Sequence, residues 1–150
     1  MSRTHSIITG ATLVVAALIL AVQMNSASAQ SPARTASASL GPVNVAPHQL
    51  ATLGFFNASR IVVRVRLTLY RRATGGRIAV ADADVPPGSQ AFLDSPTTGL
   101  EGDAIAGIVS AIPAGGSAKG TVGSISLQVI DTQTRRGVCC HMGGEIAFDD

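Results

Sequence analysis

Between Arg60 and Arg72 the chain reads Arg-Ile-Val-Val-Arg-Val-Arg-Leu-Thr-Leu-Tyr-Arg-Arg. Ile61, Val63, Val65, Leu67 and Leu69 fall on one parity, and Arg60, Arg64, Arg66, Thr68, Tyr70 and Arg72 on the other. A period of two is the signature of a β-strand with one buried and one wetted face. Five branched aliphatic side chains, each contributing about 1.5 to 3 kcal/mol on burial, pin the register, because a slip of one residue would send the arginines into the core. The segment therefore predicts a central strand of an antiparallel sheet.

Shorter strands follow from the same pattern on either side. Val43 to Ala46 and Leu50 to Asn57 precede the arginine strand. Arg77 to Val85, Gln90 to Asp94, Asp103 to Ile112, Ser124 to Asp131 and a short Val138 to His141 come after it. Turn chemistry separates them at Asn57-Ala58-Ser59, Thr74-Gly75-Gly76 and Pro86-Pro87-Gly88. Asn57-Ala58-Ser59 is also formally a glycosylation sequon. Val45 to Leu53 echoes Val85 to Leu93 as Val-x-Pro-x-x-x-Ala-x-Leu. The flanking segments differ, so the echo reads as two equivalent turns and not as a repeat array. Two proline turns joining strands of one sheet, with the arginine strand as C, 103–112 as F and 124–131 as G, predict an all-β, immunoglobulin-like antiparallel β-sandwich of about seven strands.

The N-terminus has the layout of a secretory signal peptide: Arg3 and His5, an apolar run from Ile7 to Val22, and Ala27-Ser28-Ala29 before Gln30. Thr9, Gly10 and Thr12 interrupt that run, whereas a membrane span needs about 20 apolar residues. The expected organisation is a signal peptide at 1–29, a flexible Ser/Ala/Thr-rich tether at 30–40, the sandwich at 41–142 and an acidic frayed tail at 143–150. A secreted or periplasmic location without a stable membrane anchor follows. The formal net charge is only +2, and removing the leader lowers it further, so nucleic acid is not an expected partner. Six arginines between Arg60 and Arg77 are followed by Asp82, Asp84, Asp94, Glu101 and Asp103. If these segments are neighbouring strands the charges pair across the sheet; otherwise Arg64 and Arg66 are the best candidates for an anion-binding patch. Aromatic residues make up 3% of the chain and Trp is absent, which counts against carbohydrate-binding surfaces made of stacked rings and against aromatic-rich protein interfaces.

Three pieces resemble a group of small secreted bacterial proteins with an immunoglobulin-like β-sandwich. They are Gly41-Pro42-Val43 with the Pro47 turn, Pro86-Pro87-Gly88-Ser89-Gln90, and Leu127-Gln128-Val129-Ile130-Asp131 with Thr134 and the basic residue after it. The resemblance spans about 41–138. It implies a periplasmic or extracellular location, and it brings no settled activity or catalytic residues to carry over. The chain departs from the pattern at His48 and Arg135, which stand where both turns would carry Gly.

Cys139-Cys140-His141-Met142 is the one chemically unusual run. These ligand types suit Cu(I) or Zn²⁺, but no second Cys pair exists to close a zinc cage, and adjacent strand residues point to opposite faces. Structural thiols, including a strained vicinal ring, and a disulfide-linked dimer are the other readings. His48 reads as a turn residue. Ser117-Ala118-Lys119 lies in a Gly-rich loop without the setting of a nucleophile and base, and Gly115 to Thr121 lacks the order of a phosphate-binding loop. With no catalytic constellation and no cofactor motif, the sequence implies a non-catalytic module. It would bind a protein or envelope component through its edge strands, Val43 to Ala46 and Val138 to His141, or through Arg64 and Arg66. A soft-metal-binding or redox-responsive protein using Cys139, Cys140, His141 and Met142 is the alternative.

Overall fold

The computed structural model describes residues 34–115 and 120–148, and of residues 139–142 the backbone alone. The expected signal peptide and the first tether residues lie outside the described residues. The described chain forms eight strands: β1 (Ala36–Asn44), β2 (Gln49–Asn57), β3 (Val63–Arg71), β4 (Arg77–Val85), β5 (Gln90–Asp94), β6 (Ala104–Pro113), β7 (Gly120–Asp131) and β8 (Gly137–Phe148). They make two four-stranded antiparallel sheets in the orders β1-β6-β3-β4, here sheet A, and β5-β2-β7-β8, sheet B.

The arginine segment becomes β3, held between β6 and β4. Val63, Val65, Leu67 and Leu69 are buried as the alternation requires, while Ile61 is half-buried in the loop that enters the strand. Facing them from sheet B are Leu53, Phe55 and Leu127, all buried. The sandwich is longer at both ends than expected. Residues 36–40, assigned to the flexible tether, are strand: Ala36 and Leu40 are buried while Ser37 and Ser39 are exposed. Residues 143–148, assigned to the acidic frayed tail, complete β8, with Ile146 and Phe148 in the core.

The two proline turns are equivalent, but each passes from sheet A to sheet B and does not join strands of one sheet. Gln49 N–H donates to the Ala46 carbonyl and Ser89 N–H to the Pro86 carbonyl, both at 3.1 Å. His48 at φ 64° and Gly88 at φ 70° occupy the same left-handed position, where a type II turn demands it. The strand letters need a second correction, because β7 pairs with β2 and not with β6.

A repeat is nonetheless present, and it lies in the pairing. Advancing sheet A by four strands, with β6 wrapping round to β2, reproduces the order of sheet B. The central registers, β3 with β6 and β7 with β2, agree residue by residue, whereas β7–β8 carries bulges that β3–β4 lacks. Leu67 opposite Val109 corresponds to Leu127 opposite Leu53, and Arg71 opposite Ile105 to Asp131 opposite Gln49. The hairpin tips match as well: Arg71 N–H bonds Gly76 O and Gly75 N–H bonds Arg71 O, as Asp131 N–H bonds Arg136 O and Arg135 N–H bonds Asp131 O. Gly75 and Arg135, at φ 66° and 56°, share the left-handed position. Each half lends its second strand to the middle of the other half's sheet, so the two halves interlock.

Candidate functional site

The outer face of sheet A carries the arginines. Register places Arg64 opposite Asp84 and Arg66 opposite Asp82. Arg64 Nε lies 2.8 Å from Asp84 Oδ1 and Arg66 Nε 2.7 Å from Asp82 Oδ1, each with a second bond through Nη2. Hydrogen bonding to these guanidinium groups, reinforced by their charge, holds both carboxyls below the usual range and the arginines still more firmly protonated. The cross-strand pairing leaves a locally neutral, solvated face. Arg71 Nε sits 2.8 Å from Asp103 Oδ2 without good hydrogen-bond alignment, and its Nη2 donates to Gly99 O, which ties the end of β3 to the β5–β6 loop.

Asn57 is fully buried and its side chain is saturated. Nδ2 donates to the Ile61 and Val85 carbonyls, both at 2.8 Å, and Oδ1 accepts from Ser59 N–H and its hydroxyl. A glycan on that nitrogen is incompatible with this fold. His48 uses its carbonyl to accept from both Thr132 N–H and the Thr132 hydroxyl, so it has a structural part in joining the β1–β2 turn to the β7–β8 turn. Ser117 and Lys119 lie outside the described residues.

Cys139 to Met142 lie in β8, the edge of sheet B. Cys139 stands opposite Val129 and Met142 opposite Leu127, one residue more on β8 than on β7. The extra residue is a β-bulge in the backbone of the run. Among the described residues no three metal-ligating side chains converge.

The least expected feature is a groove of about 280 Å³ on the outer face of sheet B. Its central row runs across all four strands as Phe92, Gly54, Ser126 and Gly143. Phe92 projects outward and is 55% exposed, with Ala91 and Leu93 taking the inward positions of β5. Its ring lies over Gly54, where a Cβ would come within 3.1 Å of the ring and 2.8 Å of Ser126 Oγ. Phe56 and Ser124 form one bank. On the other side Thr52 donates to Asp94 at 2.7 Å. A lone Gly inside the strong strand pattern of β2 was the signal in the sequence for a close approach over that position.

These features define a β-sandwich with open sheet faces and strand edges, with no metal-ligand cluster among the described residues. No protein-family model matches the chain, and no curated protein matches it. Two solved structures show a partial likeness to the chain. A crystal structure of Thermotoga maritima 1070 superposes with a TM-score of 0.44 at 11% identity, covering 79% of this chain and 95% of its own. The Anabaena sensory rhodopsin transducer does so with a TM-score of 0.40 at 15% identity, covering 69% and 95%. At that distance nothing is carried from either protein to this one.

Proposed function

We propose that the chain is a secreted or periplasmic, non-catalytic contact module of immunoglobulin-like type that binds a protein or envelope component, with β4 as its docking edge. The observation that carries this reading is the contrast among the four edge strands. β1 is bulged between Leu40 and Val43 and contains Pro42, β5 is only five residues long, and β8 is bulged twice. Such features blunt an edge against strand addition. From Ala79 to Val85, β4 is regular and free of proline, and Ala79, Ala83 and neighbouring Ala91 leave that side of the core thinly covered. A partner strand added there would satisfy the unpaired backbone groups. The immunoglobulin-like kinship is supported by two adjacencies, β2 with β5 and β3 with β6, which match strands B–E and C–F.

The test is a pull-down from the native envelope with the purified protein. Ala81→Lys, which places an inward charge on the edge, should abolish capture while thermal melting shows a folded chain. Arg64→Glu with Arg66→Glu should leave capture largely intact, because those arginines are already engaged by Asp84 and Asp82. Capture that survives Ala81→Lys sinks the edge assignment; capture lost only with the arginine changes moves the site to the outer face of sheet A.

A second reading, from the residue types of the run, is that Cys139, Cys140, His141 and Met142 bind a soft metal or respond to redox state. Stoichiometric binding of Cu(I) or Zn²⁺ that vanishes in Cys139→Ser with Cys140→Ser would support it. A disulfide-linked dimer in non-reducing mass spectrometry would instead assign the thiols to bridging.

A further inference from the structure

The groove on sheet B has an internal control in the repeat. Its row Phe92–Gly54–Ser126–Gly143 corresponds by register to Ser37–Ser110–Arg66–Asp82 on sheet A. On sheet A that row is closed by its own side chains: Ser37 and Ser110 hydroxyls bond at 3.0 Å, and Arg66 clasps Asp82. On sheet B the equivalent positions are Gly54, Ser126 and Gly143; the Phe92 ring lies over Gly54, and the row stands open beside it at Ser126 and Gly143. One scaffold thus fills the row on one face and opens it on the other.

The lining defines what the opening can take. Phe92 offers one exposed ring face and Phe56 an apolar bank; with 3% aromatics and no Trp the chain builds no platform of stacked rings, so a sugar here stacks on Phe92 alone. The Ser124 and Ser126 hydroxyls and the Gln90 amide have no side-chain hydrogen bond among the described residues. No Lys or Arg lines the groove, and Glu145 stands opposite Ser124 in the adjoining row, so an anionic ligand is disfavoured. A neutral ring with one apolar face and a rim of hydroxyls matches this set: C–H groups lie on the aromatic face while hydroxyls meet the serines and the amide. The volume is just under the range of about 300 to 1,000 Å³ typical of small-molecule sites, which suits one or two rings. A row crossing four strands spaced about 4.8 Å apart lets a chain of such rings lie across the sheet.

We infer that the outer face of sheet B is a binding site for a neutral glycan, with a hexopyranose ring stacked on Phe92 and hydrogen-bonded by Ser124, Ser126 and Gln90. The inference rests on the reading of the chain as a contact module and names a ligand class for a face separate from the β4 edge.

The experiment titrates the whole protein with cellohexaose, chitohexaose, maltohexaose and mannohexaose, followed by backbone amide shifts in NMR. At least one should shift the amides of Gly54, Phe92, Ser124 and Ser126 at millimolar concentration or below. Phe92→Ala should weaken that binding about tenfold, about 1.4 kcal/mol. Phe92→Tyr should retain it, and Ser126→Arg, which installs the side chain found in the sheet A row, should abolish it without lowering the melting temperature by more than a few degrees. No shift with any of the four, or binding indifferent to Phe92→Ala, overturns the proposal. So does an extended peptide that shifts these amides where the sugars do not. Because the pull-down reports on Ala81→Lys independently, loss of the glycan site and loss of the contact-module reading give different results.

Discussion

Gly107 and Gly123 both sit where a side chain has no room, yet what blocks them differs. A Cβ at Gly107 would approach Leu53 Cδ1 at 2.6 Å, the far end of a side chain that can rotate away. At Gly123 it would collide with the Phe56 carbonyl oxygen in the paired strand, which cannot move without breaking the ladder. Gly107→Ala is therefore expected to cost about 1 to 3 kcal/mol, the usual range for overpacking, and Gly123→Ala more, measured by urea denaturation. The reverse ranking would mean that β2 and β7 are not paired as described. His48 and Arg135 make the opposite case. Each holds a left-handed φ with a Cβ attached. His48→Gly and Arg135→Gly should each raise stability by up to about 1 kcal/mol, whereas Gly88→Ala, at the equivalent of His48, should lower it. A loss on both Gly substitutions would contradict the turn geometry.

At the level of elements, the β7–β8 hairpin is closed by a carboxylate where the β3–β4 hairpin relies on glycines. Asp131 Oδ1 accepts from Gln133 N–H at 2.9 Å and Thr134 N–H at 2.7 Å, and these bonds, Thr134 first, keep its carboxyl below the ordinary range. Asp82 and Asp84 are depressed for a different reason, the bonds from Arg66 and Arg64. A carboxyl whose pKa is lower folded than unfolded stabilises the fold above its unfolded value, about 3.9, and ceases to do so as pH falls through the folded value. Stability should accordingly decline below about pH 4, and Asp131→Asn should make that decline shallower in melts recorded from pH 5 to 2. An unchanged acid slope would show that Asp131 does not close the turn. The parts of the fold that could be read from sequence were those where a strong period of two coincided with branched aliphatics, above all β3. Ala36 to Leu40 has the same period, but Ala and Ser give it too little hydrophobic contrast to stand apart from a tether. Gly143 to Phe148 was hidden in a similar way by its acidic end. Cross-strand pairing of Arg64 and Arg66 with Asp84 and Asp82 was legible because it needs only one hairpin. The groove was not, since Phe92, Gly54, Ser126 and Gly143 come together only through three separate strand pairings.

For the molecule as a whole, the interlocking of halves sets how it opens. β2 is embedded between β5 and β7, and β6 between β1 and β3, so neither 36–85 nor 90–148 retains a continuous sheet when the other is withdrawn. The same interlock explains why the repeat left so little trace in sequence: what is repeated is a set of registers, and the few identities at equivalent positions include Leu67 with Leu127 in the strands and Thr74 with Thr134 in the turns. It also gives the two sheet faces equivalent frames, on which one row is closed by charge and the other opened beside Phe92. Native-state amide hydrogen exchange tests this arrangement most directly. Amides of the central strands β2, β3, β6 and β7 should exchange through one common opening whose free energy equals that of global unfolding. Protection of residues 36–85 that persists after 90–148 have exchanged, or the converse, would contradict it.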